Sequence, residues 1–240
     1  MGGNNRKRLF YLSSNPFFKN ISIFRGGTAL KKIYFPEYRF SEDLDFVLKE
    51  KADLRDIDEI LNEVFMNISN DFPFKPTKVS SIKNERLQVF VNYEIVPEIK
   101  INKELKLDVL KDIFTPSYVI KNIVFTHFDF VGIEKELNAY TLESVVADKI
   151  LRILDVDKEA RDIYDLWFIL GLNYLNTDNL KDYFKKRSGF YLQIPNLIDE
   201  INSKVYKQTW KIRLENQVLD LPPYESVIED LKELIGRKLK

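Results

Sequence analysis

Cysteine is absent from the 240-residue sequence, and histidine occurs once, at His127. Without cysteine the chain forms no disulfide, offers no thiolate nucleophile and cannot bind zinc through sulfur. A single histidine removes most mechanisms in which histidine acts as acid, base or metal ligand. His127 lies next to aromatic residues, a setting that favours packing over catalysis. Thiol chemistry is therefore excluded, and histidine chemistry largely so.

The chain also lacks a net charge, because its 37 lysines and arginines balance its 37 aspartates and glutamates. The net charge predicts no bulk attraction to nucleic acid, although a local basic patch remains compatible with it. No apolar run approaches the roughly 18 residues that span a membrane, and the basic first residues are not followed by the rest of a secretion signal. With 45% hydrophobic and 31% charged residues, the sequence indicates a globular protein, for which we expect a cytoplasmic location.

Two short motifs carry the strongest functional signal. Residues 25–30 (RGGTAL) place a glycine pair at the start of a predicted helix, and residues 39–46 (RFSEDLDF) place Asp43 and Asp45 on a predicted strand. Glycine lets the backbone approach a phosphate closely, and residues i and i+2 of a strand share a face. Two such carboxylates can bind a hard cation such as Mg²⁺. Together the motifs predict a site for a nucleoside triphosphate and its metal, against the alternatives of a turn and a solvated strand end.

The order and spacing of these motifs resemble the AbiEii/AbiGii-type toxins, within the DNA polymerase β-like nucleotidyltransferase superfamily. The signature of that family is similar to GGTAL followed by RxSxDxD, and this chain carries each element. The resemblance extends over residues 24–170 and more loosely to the C-terminus. It also implies a longer helical segment before the glycine pair than this chain has, which leaves a truncated chain or a late start as interpretations.

The spacing of apolar residues changes near residue 140. Before this point it predicts strands at residues 22–25, 44–48, 87–95, 99–110 and 119–125, and helices at residues 8–18, 29–33 and 53–69. After it, helices are predicted at residues 141–154, 160–170, 178–186 and 224–235. This order predicts an α+β fold, with a polymerase β-like nucleotidyltransferase domain built on a mixed sheet at residues 1–138 and a helical C-terminal domain at residues 139–240. Thr28 is predicted to cap the helix after the glycine pair.

Asp108 is the third candidate carboxylate. The apolar residues at positions 105, 107 and 109 share one face of a predicted strand, and Lys106 and Asp108 share the other. The resemblance implies a third carboxylate on a later strand, which Asp108 matches; the alternative is an outward aspartate on a half-solvated sheet. It further implies that Asp43, Asp45 and Asp108 bind Mg²⁺ or Mn²⁺, with Asp108 completing the shell or activating an acceptor hydroxyl.

Lys149 and two later acids are further candidates. At roughly 100° per residue, Lys149 falls inside the apolar stripe of its helix, so its ammonium must extend past the core or reach a buried anion. Residues 161–166 (RDIYDL) are similar to a closing RDxxDL motif of the family. The resemblance implies that Lys149 contacts nucleotide phosphates and that Asp162 or Asp165 acts as a base or positions Lys149 or a metal. The alternatives are a lysine at a domain interface and a surface pair of Arg161 with Asp165.

The other motif residues are assigned by the resemblance to the nucleotide. Gly26, Gly27 and Thr28 are expected to cradle the triphosphate, Arg39 to hold it, and Ser41 to bond a phosphate or to autoregulate the site. The resemblance implies transfer of a nucleoside monophosphate from an NTP to an RNA hydroxyl, with tRNA as one option and a cognate antitoxin as partner. The alternatives are a non-catalytic module that binds a nucleotide or a partner, and a metal-dependent nuclease. The residues select no nucleobase.

Overall fold

The computed structural model describes residues 3–49, 52–71, 77–96, 101–112, 114–125, 131–155 and 158–239, so His127 lies outside the described residues. The chain divides into two compact units, the first made of residues 1–37 and 41–139 and the second of residues 38–40 and 140–240. Residues 38–40, the last two of which begin the acidic motif, thus belong to the second unit. The main division falls after Ala139, one residue beyond the predicted boundary.

A seven-stranded mixed sheet organises the first unit. Its strands are β1 (Ser22–Arg25), β2 (Leu44–Leu48), β3 (Thr77–Lys83), β4 (Arg86–Val96), β5 (Ile101–Leu110), β6 (Tyr118–Val124) and β7 (Glu134–Tyr140). They follow the order β3-β4-β5-β2-β1-β7-β6. β1 pairs parallel with β7 and β2 pairs parallel with β5, whereas β1 with β2, β3 with β4, and β4 with β5 are antiparallel.

Helices of this unit contribute apolar side chains to a core with one face of the sheet. They are α1 (Gly3–Ser14), α2 (Pro16–Ile21), α3 (Gly26–Ala29), which continues into a π-helical turn at Leu30–Tyr34, and α4 (Leu54–Asp71). α4 buries apolar side chains at helical spacing in a core that also contains alternate residues of β2, β4 and β5. Because side chains alternate along a strand, the residues between those core positions lie on the other face of the sheet.

In the described part of the second unit, six helices follow residue 140. They are α5 (Leu142–Leu154), α6 (Ala160–Gly171), α7 (Thr177–Ser188), α8 (Ile194–Ile201), α9 (Lys204–Leu214) and α10 (Tyr224–Lys238). The Thr141 hydroxyl caps α5 by accepting a hydrogen bond from the Ser144 amide, and Gly189 ends α7 with a φ of 83°. α6 buries its apolar stripe together with two charged side chains, Asp162 and Asp165.

Most predicted elements are present, and β1 and β2 have the predicted bounds. β3 and β7 and the helices α8 and α9 were not predicted. β3 (TKVSSIK) is largely exposed, so it lacks the apolar alternation that marks a half-buried strand. Among the described residues, no helix is both long and apolar enough to cross a membrane.

Candidate active site

Four polar residues form a row across adjacent strands, on the face of the sheet opposite the core. Asp45 on β2 is the register partner of Asp108 on β5. The row continues on either side, to Arg25 on β1 and to Gln88 on β4. Register partners project to the same side of a sheet, on strands about 4.8 Å apart. The sheet therefore places the Asp45 and Asp108 carboxylates side by side, although the residues are distant in sequence.

The charge of Asp45 is incompletely compensated. Burial raises the pKa of the Asp45 carboxyl, the charge of Arg25 opposes this effect, and the charges of Asp108 and Asp43 add to it. Asp43 is exposed and directly precedes β2, two residues before Asp45. The net result is a raised pKa, which means that the ionised carboxylate is disfavoured where it stands. A cation placed between these carboxylates would lower that cost.

Asp108 differs from Asp45 because cations already hold it. Arg86 donates to its two oxygens at 3.2 and 2.6 Å, the Lys106 Nζ lies 2.9 Å from Oδ2, and the Gln88 amide donates to Oδ1 at 3.0 Å. Burial alone would raise the pKa of Asp108, but the hydrogen bonds from Arg86, Lys106 and Gln88 outweigh burial and lower it. Asp108 is therefore an ionised carboxylate with three donors around it.

Gly26 lies directly over the Asp45 carboxylate. Its φ of 77° is in the left-handed region, and a Cβ at this position would come within 2.6 Å of the Asp45 Oδ2. Both the backbone conformation and the close approach require glycine. The chain thus passes close to the carboxylate row at the first glycine of the GGTAL motif.

The predicted capping role of Thr28 is wrong. The helix begins at Gly26, and Arg25 occupies the N-cap position without a side-chain cap. Thr28 is buried inside α3, where its hydroxyl donates to the Ser41 hydroxyl at 2.9 Å. This bond connects the glycine motif to the segment that leads into Asp43. The capping prediction failed because the first glycine, with its positive φ, starts the helix earlier than the side-chain pattern indicates.

The residues that were predicted to hold a metal ion fit it in part. Among the described residues, no three histidine, cysteine, aspartate or glutamate side chains are arranged to hold a metal ion. Mg²⁺, however, is commonly held by one or two carboxylates together with substrate phosphates and water. Asp43 and Asp45 each supply a carboxylate, a hard oxygen donor. Their negative charges repel each other, which a bound cation would relieve. Asp108 joins such a set only if Arg86 and Lys106 release it.

A second group of charged residues is buried in the helical unit around Lys149. The Lys149 ammonium lies 2.5 Å from the Asp162 Oδ1 and 2.7 Å from the Asp165 Oδ2. Arg152 also binds Asp162, with its Nε 2.8 Å from Oδ2. Burial would lower the pKa of Lys149, but the two carboxylates outweigh it and raise the pKa. The anomaly of a lysine within an apolar stripe is thus resolved by two buried counter-charges.

Arg39 also binds the charged group around Lys149, through Asp165. Its Nε and Nη2 donate to the two oxygens of Asp165 at 2.6 and 2.9 Å, and its Nη1 donates to the Gln217 side chain at 2.7 Å. The Tyr38 hydroxyl also donates to Asp165. With 3% of its side chain exposed, Arg39 has little access to a phosphate. These contacts favour a structural role for Arg39, in which it attaches residues 38–40 to α6.

Asp165 is poorly suited to act as a base. Burial alone would raise its pKa, but Arg39 and Lys149 hold the pKa well below the usual range for aspartate. A carboxylate so stabilised has little affinity for a proton. Of the roles considered for Asp162 and Asp165, the geometry favours the one in which they position Lys149 and keep it charged.

The predicted residues fall into two groups, one in each unit. Gly26, Gly27, Thr28, Ser41, Asp43, Asp45 and Asp108 belong to the first unit, and Arg39, Lys149, Asp162 and Asp165 belong to the second. Sequence reasoning missed Arg86, Gln88, Tyr38 and Gln217. Their roles depend on pairing between residues distant in sequence, and no local pattern marks them. Lys106 had a signal, since strand alternation places it on the same face as Asp108.

Comparison with known proteins gives three results. The family model described as "Nucleotidyl transferase AbiEii toxin, Type IV TA system" matches residues 8–235. No curated protein matches the chain. Among solved structures, the chain is similar to MenT4, a nucleotidyltransferase toxin from Mycobacterium tuberculosis, with 15% identity, a TM-score of 0.61, and coverage of 98% of this chain and 82% of that one. The family match confirms the resemblance inferred from the motifs, and the structural likeness confirms the fold class.

Proposed function

Because the chain belongs to the AbiEii family of nucleotidyl transferase toxins of type IV toxin–antitoxin systems, and is thus a nucleotidyltransferase, we propose that it transfers a nucleoside monophosphate from an NTP to an RNA hydroxyl. The acceptor we propose is RNA, with tRNA as the first species to test. We also propose a cognate antitoxin as partner and a cytoplasmic location, in keeping with a toxin–antitoxin system.

The observation that carries this proposal is the side-by-side placement of Asp45 and Asp108 with Gly26 over Asp45. A glycine backbone beside a carboxylate pair suits a ligand that carries both phosphate and metal. Burial and the charges of Asp108 and Asp43 raise the pKa of Asp45, although the charge of Arg25 opposes them. A divalent cation bound with a triphosphate would favour the ionised form of this carboxyl.

In the reaction we propose, the oxygen of an acceptor hydroxyl bonds to the α-phosphorus of the NTP. The bond from that phosphorus to the oxygen bridging to the β-phosphate breaks, and pyrophosphate leaves. The hydroxyl proton passes to the Asp108 carboxylate after Arg86 and Lys106 have moved away from it, because their contacts hold its pKa low. Asp43 and Asp45, with Asp108 once its cations move away, would hold Mg²⁺ or Mn²⁺, which when bound neutralises charge on the phosphates.

The remaining site residues bind and orient the nucleotide in this proposal. The Gly26 and Gly27 backbone accommodates the triphosphate, and the bonded hydroxyls of Thr28 and Ser41 fix the position of that turn. The resemblance assigns Lys149 to the phosphates, but its contacts with Asp162 and Asp165, which keep it protonated, favour a structural role within the second unit. Arg39, which was predicted to hold the triphosphate, acts instead by fixing Asp165.

The test is incubation of the chain with each α-³²P-labelled NTP, total RNA and Mg²⁺, followed by gel separation. Labelled RNA of nearly unchanged length, lost with Asp45→Asn, is the expected result. Shortened unlabelled RNA would instead indicate a nuclease, and unchanged RNA would favour the non-catalytic module. Glu63→Gln, an exposed carboxylate on α4, is the matched control and should label RNA like the wild type.

A further inference from the structure

The outer face of β3, β4 and β5 carries basic side chains beside Asp108. Lys83 on β3 is the register partner of Arg86 on β4, and Arg86 reaches the Asp108 carboxylate on β5. Lys106 lies on this same face and contacts Asp108 from its own strand. We call Lys83, Arg86 and Lys106, together with Phe90 on β4, the basic sheet face.

The Lys83–Arg86 pair is electrostatically unfavourable as it stands. Like charges directly opposite each other on neighbouring strands are destabilising. The tight turn between them, where Asn84 and Glu85 have φ values of 49° and 57°, keeps the two strands in this register. Arg86 has Asp108 as a counter-charge, but Lys83 has no carboxylate partner within the part of the chain that the structure describes. Two adjacent cations with one counter-charge favour the binding of an anion.

The surroundings of this pair fit a nucleic acid strand better than a small anion. Lys83 and Arg86 are exposed, and Phe90 and Lys106 are half-exposed on the same face. A partly exposed aromatic ring among cations suits a base that stacks while its phosphates are neutralised. From β5 to β3 the face spans two strand spacings, roughly 10 Å. This length corresponds to about three stacked nucleotides of one strand. Glu104, toward the other end of β5, lies on the same face and limits the basic stretch there.

We propose that the basic sheet face binds the sugar-phosphate backbone of the acceptor RNA strand and leads its reactive hydroxyl to Asp108. This inference rests on the proposed function, and it names the surface that recognises the acceptor. Arg86 and Lys106 then have two alternative partners, Asp108 in the free protein and the acceptor phosphates in the complex. Binding of the acceptor draws these cations away from Asp108 and leaves its carboxylate free to take the hydroxyl proton.

The test is filter binding of 5′-³²P-labelled total tRNA over a range of salt concentrations, run beside the labelling assay with wild-type protein. Lys83→Gln should weaken binding several-fold and reduce the slope of log affinity against log salt by about 0.7–0.9, the contribution of one phosphate contact. Lys83→Arg should restore both values. Phe90→Leu should weaken binding without changing the slope, because stacking releases no counter-ion. Lys207→Gln, on an exposed lysine of α9, is the control and should bind like the wild type.

Each outcome decides between the two proposals. If the wild type labels RNA but Lys83→Gln binds tRNA with unchanged affinity and slope, the basic sheet face is not the acceptor surface, and the proposed function stands. If the wild type labels no RNA, or labels a protein instead, the proposed RNA acceptor fails and this inference fails with it.

Discussion

Asp45 in the sheet unit and Asp165 in the helical unit are both aspartates with another carboxylate nearby, yet their surroundings shift their pKa values in opposite directions. Asp45 is the register partner of Asp108, and burial with two like charges raises its pKa. Asp165 is more deeply buried, but Arg39, Lys149 and Tyr38 all contact it, and its pKa is lowered. Burial opposes ionisation in both places, so the difference lies in the number of cations at hand.

The difference separates two kinds of charged cluster. In the helical unit the charges are matched by direct contacts, which suits a cluster that fixes the protein's own segments. In the sheet unit the pKa of Asp45 stays raised because burial and the charges of Asp108 and Asp43 outweigh the charge of Arg25, which suits a cluster that binds a further cation. A buried carboxylate with a raised pKa is therefore better evidence of a ligand site than one whose pKa is lowered by cations bound to it.

The largest expected effect is on catalysis, from Asp45→Asn. If Asp45 helps to hold the metal, losing its charge should reduce transfer to RNA by at least about a hundredfold. The fold should be as stable as the wild type or more so, because the substitution removes a disfavoured charge. Rates of RNA labelling and urea unfolding curves measure the two effects. Full activity in this variant would mean that the uncompensated charge has no part in the reaction.

The next effect is on stability, from Arg39→Gln. This change leaves Asp165 buried with Lys149 as its remaining cation, and breaking a buried ion pair costs about 3–5 kcal/mol. We expect a loss of this order in the free energy of unfolding at pH 7, measured in urea. Arg213→Gln, on an exposed arginine, should change stability by less than about 0.5 kcal/mol. A small loss with Arg39→Gln but abolished NTP binding would return Arg39 to the nucleotide site.

A smaller effect is expected from Gly26→Ala. Alanine at a φ of 77° costs about 1–2 kcal/mol, and its Cβ must also displace the Asp45 carboxylate from a distance of 2.6 Å. Stability should fall by at least that amount and transfer should fall with it, in the same two assays. Gly132→Ala, which has a φ of 78° with open space around it, is the matched control. Gly132→Ala should lose only the roughly 1–2 kcal/mol of stability that alanine costs at a positive φ, and it should keep the transfer activity.

The sequence predicts the elements that carry these sites better than it predicts their electrostatic partners. β2 was placed correctly because Leu44, Phe46 and Leu48 alternate with Asp45, and α5 because its apolar stripe has helical spacing. The Asp45–Asp108 register, however, depends on a parallel pairing that no local pattern specifies. Arg39 shows the same limit, since its counter-charge Asp165 lies far along the chain. Local spacing determines which face a residue occupies, but not which residue lies opposite it.

The pH dependence of stability should have opposite signs in the two regions. Asp165 has a lowered pKa, so its stabilising contribution is present above the unfolded value near 3.9 and is lost as the pH falls below that value toward the folded one. Asp45 has a raised pKa, so its destabilising charge is present at pH 7 and is relieved as the pH falls through its folded value.

Urea unfolding in EDTA at pH 7 and at about pH 3 measures both contributions. The stability lost with Asp165→Asn should shrink at the lower pH. The stability gained with Asp45→Asn should shrink as well, because the wild-type carboxyl becomes protonated. If Asp165→Asn and Asp45→Asn change the free energy of unfolding in the same direction at pH 7, the proposed difference between the two clusters is wrong.

Whether Asp43 and Asp45 bind a nucleotide together with its metal is tested by the melting temperature with NTP in the presence and absence of Mg²⁺. A ligand at a hundredfold excess over its Kd stabilises by about 2.7 kcal/mol, which corresponds to roughly 5–11 °C for a chain of this size. We expect this shift for the wild type and for Glu63→Gln with Mg²⁺, and its loss in EDTA. We expect no shift for the double variant Asp43→Asn, Asp45→Asn. An equal shift in that variant, or in EDTA, would contradict the assignment of metal and nucleotide to these two carboxylates.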